Sequence, residues 1–286
     1  MKKIKIVFAG TPQISVSSLQ VLATDERFEV CAVVTGRDKK IGRKQVLTAN
    51  PVKVCAEKNN VKIYQPEKMK ELFSIFEDLK ADILVVIAYG EIIPQSVLDC
   101  FRFQVNAHGS LLPKYRGASP IQEAVLQGEK ETGISFMQMV KKMDAGGVYK
   151  KCLTPIMQNT TSADLFKTLS QVSADNIADT LVSIEAGKLL PVEQNESEVT
   201  YCSMIQKQDG EVDFATMTAQ EIFLKMKAYT PWPGIFFMKD DKRIIIKGGE
   251  VSTTQGMQTI DGYFLPYDVI VEGKKTQPFL EWQKNI

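Results

Sequence analysis

The chain has 286 residues, of which 44% are hydrophobic and 24% are charged, and its formal net charge is +1. These proportions are typical of a globular protein and exclude collagen-like and intrinsically disordered chains. The longest apolar run, at residues 83–88, is far shorter than the roughly 20 residues that a membrane helix needs. Met1-Lys2-Lys3 leads into a strand pattern and not into a signal peptide. We therefore expect a cytoplasmic protein without membrane contact.

Five cysteines are scattered along the chain without a C-x-x-C pair. An odd number at irregular spacing predicts reduced thiols, and neither a disulfide framework nor a zinc site. We expect no bound metal. The cysteines are Cys31, Cys55, Cys100, Cys152 and Cys202.

Strand and helix signals alternate in the first part of the chain. Short, β-branched apolar runs at residues 3–9, 29–35 and 82–88 predict buried strands, and helical patterns lie at 13–23, 51–59 and 67–80. At the first turn, Thr11 is the expected N-cap of a helix that begins at Pro12. Repeated β-α-β order predicts a parallel sheet with helices on both faces and a site at the carboxyl ends of the strands.

Further strands are expected at residues 103–107, 133–140 and 147–156, with a helix from Ser119 to Gln127. Thr161 and Asp164 resemble a capping box that opens a long helix ending at Gly187.

After a polar stretch at residues 188–204 come a helix at 219–229 and several short strands that continue to Val271. This last part of the chain predicts a small β-barrel.

His108, the single histidine, occupies a position suited to chemistry. It follows Asn106 and Ala107 where a strand runs into a Gly/Pro loop, so Asn106 and His108 are expected on the same face of that strand. An amide beside an imidazole can stabilise an oxyanion and move a proton near neutral pH. Asp144 is either a turn residue or the group that orients this imidazole. The separation of Asp144 from His108 in the sequence leaves both interpretations open.

Three motifs together resemble the folate-dependent formyltransferases over residues 3–233, and the opening F-A-G-T-P resembles the members that act on methionyl-tRNA. The N-x-H-G-S-L-L-P-x-x-R-G pattern is highly specific for this family. The motifs are Phe8-Ala9-Gly10-Thr11-Pro12, the run from Asn106 to Ile121 and Met143-Asp144-Ala145-Gly146.

The resemblance implies that 10-formyltetrahydrofolate gives its formyl group to the free amino group of initiator methionyl-tRNA. It implies that Asn106 and His108 stabilise the tetrahedral oxyanion, while His108 and Asp144 relay the proton lost by the attacking nitrogen. The implied folate-binding residues fall in two segments. They are Ser110, Leu111, Leu112 and Pro113 in the motif and Ala88, Tyr89 and Gly90 beside the pterin.

A basic segment at residues 36–44, G-R-D-K-K-I-G-R-K, carries five basic residues and one acidic residue. In the family the loop at this place enters the acceptor stem of the tRNA, which implies a tRNA-binding role here. Phosphate contacts by such residues would give affinity without reading bases. A solvated loop is the alternative interpretation. The tRNA-binding candidates are Arg37, Lys39, Lys40, Arg43 and Lys44.

The expected fold is α/β: a Rossmann-like formyltransferase domain with a parallel-rich sheet at residues 1–188, a linker at 189–204, and a reduced, OB-like C-terminal β-barrel at 205–286. The last domain departs from the family in two ways. It is expected to lack strands between Gly256 and Val269, and residues 205–286 carry ten basic and eleven acidic residues, a net charge of −1. A tRNA-gripping barrel is expected to be basic.

Several functions therefore remain open. The reduced neutral barrel favours an N-formyltransferase acting on a nucleotide-linked amino sugar, whereas F-A-G-T-P and the basic segment favour tRNA. A hydrolase that releases formate and a binding module without catalysis are further alternatives, and Asn106, His108 and Asp144 argue against the last. A monomer is expected.

Overall fold

A computed structural model describes residues 2–42 and 44–284 of the chain. The described residues form two compact units that interleave along the sequence. Unit 1 comprises the chain up to Gly117, Thr132–Thr154 and Phe166–Tyr201. Unit 2 comprises Ala118–Glu131, Pro155–Leu165 and the chain from Cys202 onward. The domain boundaries predicted after residue 188 and before residue 205 stay a prediction.

The strands are listed in chain order: β1 (Ile4–Gly10), β2 (Phe28–Val34), β3 (Lys39–Ile41), β4 (Val46–Thr48), β5 (Ile63–Tyr64), β6 (Ile83–Ile87), β7 (Phe103–His108), β8 (Arg116–Gly117), β9 (Glu131–Gln138), β10 (Val148–Pro155), β11 (Tyr201–Cys202), β12 (Ile235–Lys239), β13 (Lys242–Ser252), β14 (Met257–Gln258), β15 (Tyr263–Val271) and β16 (Thr276–Pro278).

The α-helices are α1 (Val16–Thr24), α2 (Pro51–Lys58), α3 (Phe73–Leu79), α4 (Gln95–Leu98), α5 (Pro120–Leu126), α6 (Ser162–Glu185), α7 (Ala219–Ala228) and α8 (Phe279–Gln283). Short 3-10 turns precede α1 at Gln13–Ser15 and α3 at Met69–Leu72.

A seven-stranded sheet with the order β10-β9-β7-β6-β1-β2-β5 forms the centre of unit 1. Parallel pairing joins β1 to β2 and β6, β6 to β7, and β2 to β5, whereas β9 runs antiparallel to β7. The predicted parallel-rich α/β fold is therefore confirmed. Because β1, β6 and β7 are parallel, their carboxyl ends lie at one edge of the sheet, where such folds place their sites.

Both faces of this sheet are covered. On one face, alternate strand residues join a buried cluster with side chains around α3 and α4, such as Phe76 and Leu98. Helices α1 and α6 are joined by a buried hydrogen bond between the Ser18 and Ser173 hydroxyls, at 2.9 Å. Helix α6 begins as predicted, since the Asp164 amide donates to the Thr161 hydroxyl and the Thr161 amide donates to the Asp164 carboxylate.

The predicted capping role of Thr11 is wrong. Pro12 holds the N-cap position of the first turn and provides no side-chain cap. The Thr11 hydroxyl instead donates to the Tyr89 carbonyl at 3.3 Å and accepts from the Gly36 amide at 3.1 Å. A hydroxyl with partners on two neighbouring loops is not available to cap its own helix.

Unit 2 contains an antiparallel sheet with the order β12-β13-β15-β14, and β16 pairs with β15. Within the described part of the chain β12 lies at one edge and β14 and β16 share the other, so the predicted small barrel is an open half-barrel. Strand β14 and most of β15 lie between Gly256 and Val269, and the expectation that strands of the family are missing from this region stays a prediction. Pro266 and Asp268 interrupt the apolar pattern of β15, yet both pair with β13.

All five cysteines are free, as predicted. Cys55, Cys152 and Cys202 are buried, and Cys31 and Cys100 are partly buried. Burial raises the pKa of the Cys152 thiol, which keeps the sulfur protonated at neutral pH.

Candidate active site

His108 is the last residue of β7, at the carboxyl edge of the central sheet, and its side chain is only 6% exposed. Its Nε2 lies 2.9 Å from the Tyr115 carbonyl oxygen. A carbonyl only accepts hydrogen bonds, so Nε2 carries a proton and donates it. The other ring nitrogen, Nδ1, is then the atom that takes up a further proton.

Asp144 lies opposite this nitrogen. Its Oδ2 is 3.7 Å from His108 Nδ1, although Asp144 lies in the loop between β9 and β10 and is distant from His108 in the sequence. Oδ2 also accepts a hydrogen bond of 2.9 Å from the Gly117 amide. The structure therefore brings the predicted pair together, with a carboxylate facing the basic nitrogen of a buried imidazole.

Asn106 lies two residues before His108 on β7, so both side chains are on one face of the strand. Asn106 is only partly buried, whereas the flanking Val105 and Ala107 are buried. An amide at this position is close to the imidazole in sequence and accessible to a ligand at the sheet edge. The predicted placement of Asn106 and His108 on one face of β7 is thus found, and their roles as oxyanion donor and proton acceptor stay a prediction.

The loop after His108 is held by its own hydrogen bonds. The buried Ser110 hydroxyl donates to the Lys114 carbonyl at 2.6 Å, and the Ser135 hydroxyl donates to the Ser110 carbonyl at 2.6 Å and accepts from the Leu112 amide at 3.0 Å. Leu112 is fully buried and packs with Met137. The Ser110 and Leu112 side chains therefore shape the loop. The predicted folate-binding role of residues 110–113 stays a prediction.

The segment after β6 divides into exposed and buried parts. Ala88 and Gly90 are exposed and have left-handed backbone conformations, with φ of 48° and 83°. The Tyr89 side chain is only 6% exposed and packs in the core cluster, and burial raises its pKa to about 12. A ligand at this edge would therefore meet the backbone of residues 88–90 and not the Tyr89 ring.

The basic segment forms a structure that the sequence analysis did not anticipate. Strands β3 and β4 pair as an antiparallel hairpin, which we call the basic hairpin (residues 37–48). Lys39, Lys40 and Lys44 are exposed on it, while Arg43 lies outside the described residues. Arg37 is exposed and paired with Glu67 at 2.8 Å. The hairpin also exposes 64% of Leu47, an apolar side chain among the lysines.

Side chains anchor the root of the basic hairpin at Gly36. Asn50 Nδ2 and Gln65 Nε2 both donate to the Gly36 carbonyl, at 2.7 and 2.6 Å, and Thr11 accepts from its amide. Asp38 accepts from Lys53 at 2.6 Å, and this bond holds the pKa of the Asp38 carboxyl below its usual range. The hairpin therefore projects from a fixed base beside the edge of the sheet.

Sequence reasoning missed the residues that support Asp144 from the stretch 188–204. Thr200 accepts from the Tyr115 amide through its hydroxyl and from the Arg116 amide through its carbonyl, both at 2.9 Å. Gln194 binds Arg116 and the backbone of the Asp144 loop. A polar stretch without periodicity gave no signal for these contacts, and only the Arg116 partner stood within a recognisable motif.

Neither a metal centre nor a membrane segment was found where the structure is described. Residues 2–42 and 44–284 contain no cluster of three or more His, Cys, Asp and Glu side chains able to hold a metal ion. Over the same residues, no helix has the length and apolarity required to cross a membrane.

Comparison with models of protein families shows the family of this chain. A family model described as formyl transferase matches residues 2–181, and a model of the formyl transferase C-terminal domain matches residues 204–279. The chain belongs to the formyl transferase family, which confirms the resemblance.

Relatives with curated names show which members of the family the chain is similar to. The chain is 37% identical over 276 residues to methionyl-tRNA formyltransferase from Streptococcus pyogenes serotype M28, covering 96% of this chain and 86% of that protein. The serotype M2 relative of the same name gives the same identity and coverage.

Solved structures with low sequence identity share the fold. Methionyl-tRNA formyltransferase from Clostridium thermocellum superposes with a TM-score of 0.64 at 16% identity, covering 94% of this chain and 98% of that one. HypX from Aquifex aeolicus in complex with tetrahydrofolic acid gives a TM-score of 0.65 at 15% identity. That match covers 98% of this chain but 47% of HypX, so the chain spans about half the length of HypX.

Proposed function

We propose that this protein transfers the formyl group of 10-formyltetrahydrofolate to the amino group of initiator methionyl-tRNA. The observation that carries the proposal is the pairing of His108 with Asp144 at the sheet edge, in a chain that is 37% identical to methionyl-tRNA formyltransferase across nearly its whole length. Similarity to sugar N-formyltransferases is lower, at 21% identity for WlaRD, and supports only the shared fold.

The bound folate supplies an electrophilic formyl carbon to the site. The exposed backbone at Ala88 and Gly90, together with the exposed side chains of Val140 and Met143, offers apolar surface and amide groups to a flat pterin. Open space lies where a Cβ on Gly90 would point, so a ring can approach the backbone there. These features support folate binding at this edge.

The residues divide the chemistry between them. Asn106 donates to the formyl oxygen as negative charge develops on it, which lowers the barrier to attack. His108 Nδ1 accepts the proton that the amine loses when its nitrogen bonds to the formyl carbon. The Asp144 carboxylate at 3.7 Å stabilises the resulting imidazolium, and the proton then leaves with the displaced folate nitrogen.

The basic hairpin supplies affinity for the acceptor. Lys39, Lys40 and Lys44 are exposed and form no salt bridge within residues 2–42 and 44–284, so they present positive charge to phosphates. Arg43 lies outside the described residues and stays a predicted tRNA contact from its place in the sequence.

Formyl transfer is tested by comparing the amount of N-formylmethionine formed with the amount of tetrahydrofolate formed. Purified protein is incubated with 10-formyltetrahydrofolate and methionyl-tRNA, the tRNA is deacylated, and the amino acid is identified by mass spectrometry. N-formylmethionine in amounts equal to the tetrahydrofolate formed is the expected result. Free formate in place of N-formylmethionine would assign the protein to the hydrolases and contradict the proposal.

A further inference from the structure

The conformation of the Asp144 loop requires support from outside the loop. Asp144 has a φ of 50°, in the left-handed region that non-glycine residues occupy uncommonly. The neighbouring side chains of Lys142 and Met143 are 61% and 66% exposed, so packing holds them weakly. Contacts from elsewhere in unit 1 must therefore fix the carboxylate against His108.

Gln194 supplies such contacts through both ends of its amide. Its Nε2 donates to the carbonyls of Asp144 and Gly146, at 2.8 and 2.7 Å. Its Oε1 accepts from Arg116 Nε at 3.0 Å and from Arg116 Nη2 at 2.9 Å. A guanidinium only donates and a carbonyl only accepts, so a single orientation of the amide satisfies all four hydrogen bonds.

Arg116 connects this amide to the other support of Asp144. The Arg116 side chain is fully buried, and its Nη2 also donates to Glu196 Oε1 at 2.8 Å. This bond lowers the pKa of the Glu196 carboxyl below its usual value and keeps the charge on the acceptor. The next residue along the chain, Gly117, donates its amide to the Asp144 carboxylate. The Asp144 backbone is thus held by Arg116 through Gln194, and its carboxylate is held by the adjacent residue Gly117.

We propose that Gln194 is a positioning residue for the reaction, which fixes the Asp144 carboxylate opposite His108 Nδ1 by holding the carbonyls of Asp144 and Gly146. The expected effect on the reaction rate rests on the proposed function. The expected effect on the conformation of the Asp144 loop rests only on the four hydrogen bonds. Gln194 itself touches no reacting atom, so it acts on the rate through Asp144.

Two substitutions separate this role from general stability. Gln194→Glu keeps an oxygen acceptor for Arg116 but replaces the donating nitrogen with an oxygen that faces two carbonyls. Gln194→Met keeps the length of the side chain and removes all four hydrogen bonds. Glu193→Gln changes the exposed neighbouring side chain and is the matched control.

Steady-state kinetics and hydrogen exchange of residues 142–147 are measured for each folded variant. Both Gln194 substitutions are expected to lower kcat by about 10- to 10²-fold, since small displacements of a catalytic group have effects of this size. KM for folate and for methionyl-tRNA is expected to stay within about twofold of wild type, and the loop amides are expected to exchange faster. Glu193→Gln is expected to match wild type in both measurements.

The outcomes distinguish the proposal from the proposed function. Unchanged kcat and unchanged exchange in a folded Gln194 variant would overturn the positioning role. A raised KM with unchanged kcat would also overturn it and would assign Gln194 to substrate binding. Absence of formyl transfer by the wild-type protein would contradict the proposed function. In that case, faster hydrogen exchange of the loop in Gln194→Glu would still show that Gln194 holds the Asp144 loop.

Discussion

The Asp144 carboxylate has two partners, and a single substitution separates them. Asp144→Asn retains an oxygen that accepts from the Gly117 amide, but it removes the negative charge 3.7 Å from His108 Nδ1. We expect kcat to fall by about 10²-fold with little change in KM for folate, because the protonated imidazole loses its counter-charge.

Steady-state kinetics of Asp144→Asn beside His108→Ala provide the comparison. His108→Ala removes the proton acceptor itself and is expected to lose at least as much activity. Wild-type turnover in either variant, with folate binding intact, would exclude the proton relay between these two residues. The sequence left open whether Asp144 contacts His108, because no sequence pattern connects a strand end with a loop residue so distant along the chain.

At the scale of elements, the proposed binding of tRNA phosphates by the basic hairpin predicts that the use of tRNA depends on salt. Replacing Lys39 and Lys40 together by Ala removes two exposed charges from strand β3 of the basic hairpin. We expect KM for methionyl-tRNA to rise and the slope of log KM against log salt to become shallower by about one per lost phosphate contact. KM for folate is expected to stay unchanged, and Lys167→Ala, on the exposed side of α6, serves as the control. Equal salt slopes in the hairpin variant and the wild type would show that phosphate binding lies elsewhere.

The turn before β10 depends on a glycine. A Cβ on Gly146 would collide with the carbonyl oxygen of Gln138, so Gly146→Ala forces the Asp144 loop away from β9. We expect a loss of about 1–3 kcal/mol in the free energy of unfolding, as for other overpacked sites, together with reduced kcat. Gly262→Ala places its Cβ at an ordinary 3.6 Å from the Ser252 carbonyl and is expected to change stability by less than about 1 kcal/mol. Urea unfolding monitored by fluorescence compares the two, and equal stability would contradict the steric argument.

Regular elements were predictable because their signals are local. The apolar run that forms β6 and the capping box that opens α6 each act within a few residues, and both are where the sequence predicted them. Long-range hydrogen bonds left no such signal. Gln194 reaches Asp144 across 50 residues, and Thr11 reaches Tyr89 across 78, so neither contact could be derived from spacing. Strand β15 lies within the weak strand pattern that was predicted to continue to Val271, and pairing with β13 stabilises it although Pro266 interrupts that pattern.

For the whole molecule, charge distribution matters more than net charge. The chain as a whole carries +1, and residues 205–286 carry ten basic and eleven acidic side chains, whereas residues 36–44 carry five basic and one acidic. This distribution supports the proposal that the basic hairpin of unit 1 attracts the tRNA phosphates. The interleaving of the units along the chain was hidden from the sequence, because residues 118–131 join unit 2 through tertiary contacts.

Acceptor competition tests the central claim most directly. Purified protein with 10-formyltetrahydrofolate is offered initiator methionyl-tRNA, elongator methionyl-tRNA and a panel of nucleotide-linked amino sugars together, and formyl transfer to each is followed. Selective formylation of the initiator tRNA is the predicted result. Transfer to an amino sugar with none to the tRNA would contradict the account of the acceptor, although it would leave the roles of Asn106, His108 and Asp144 in place.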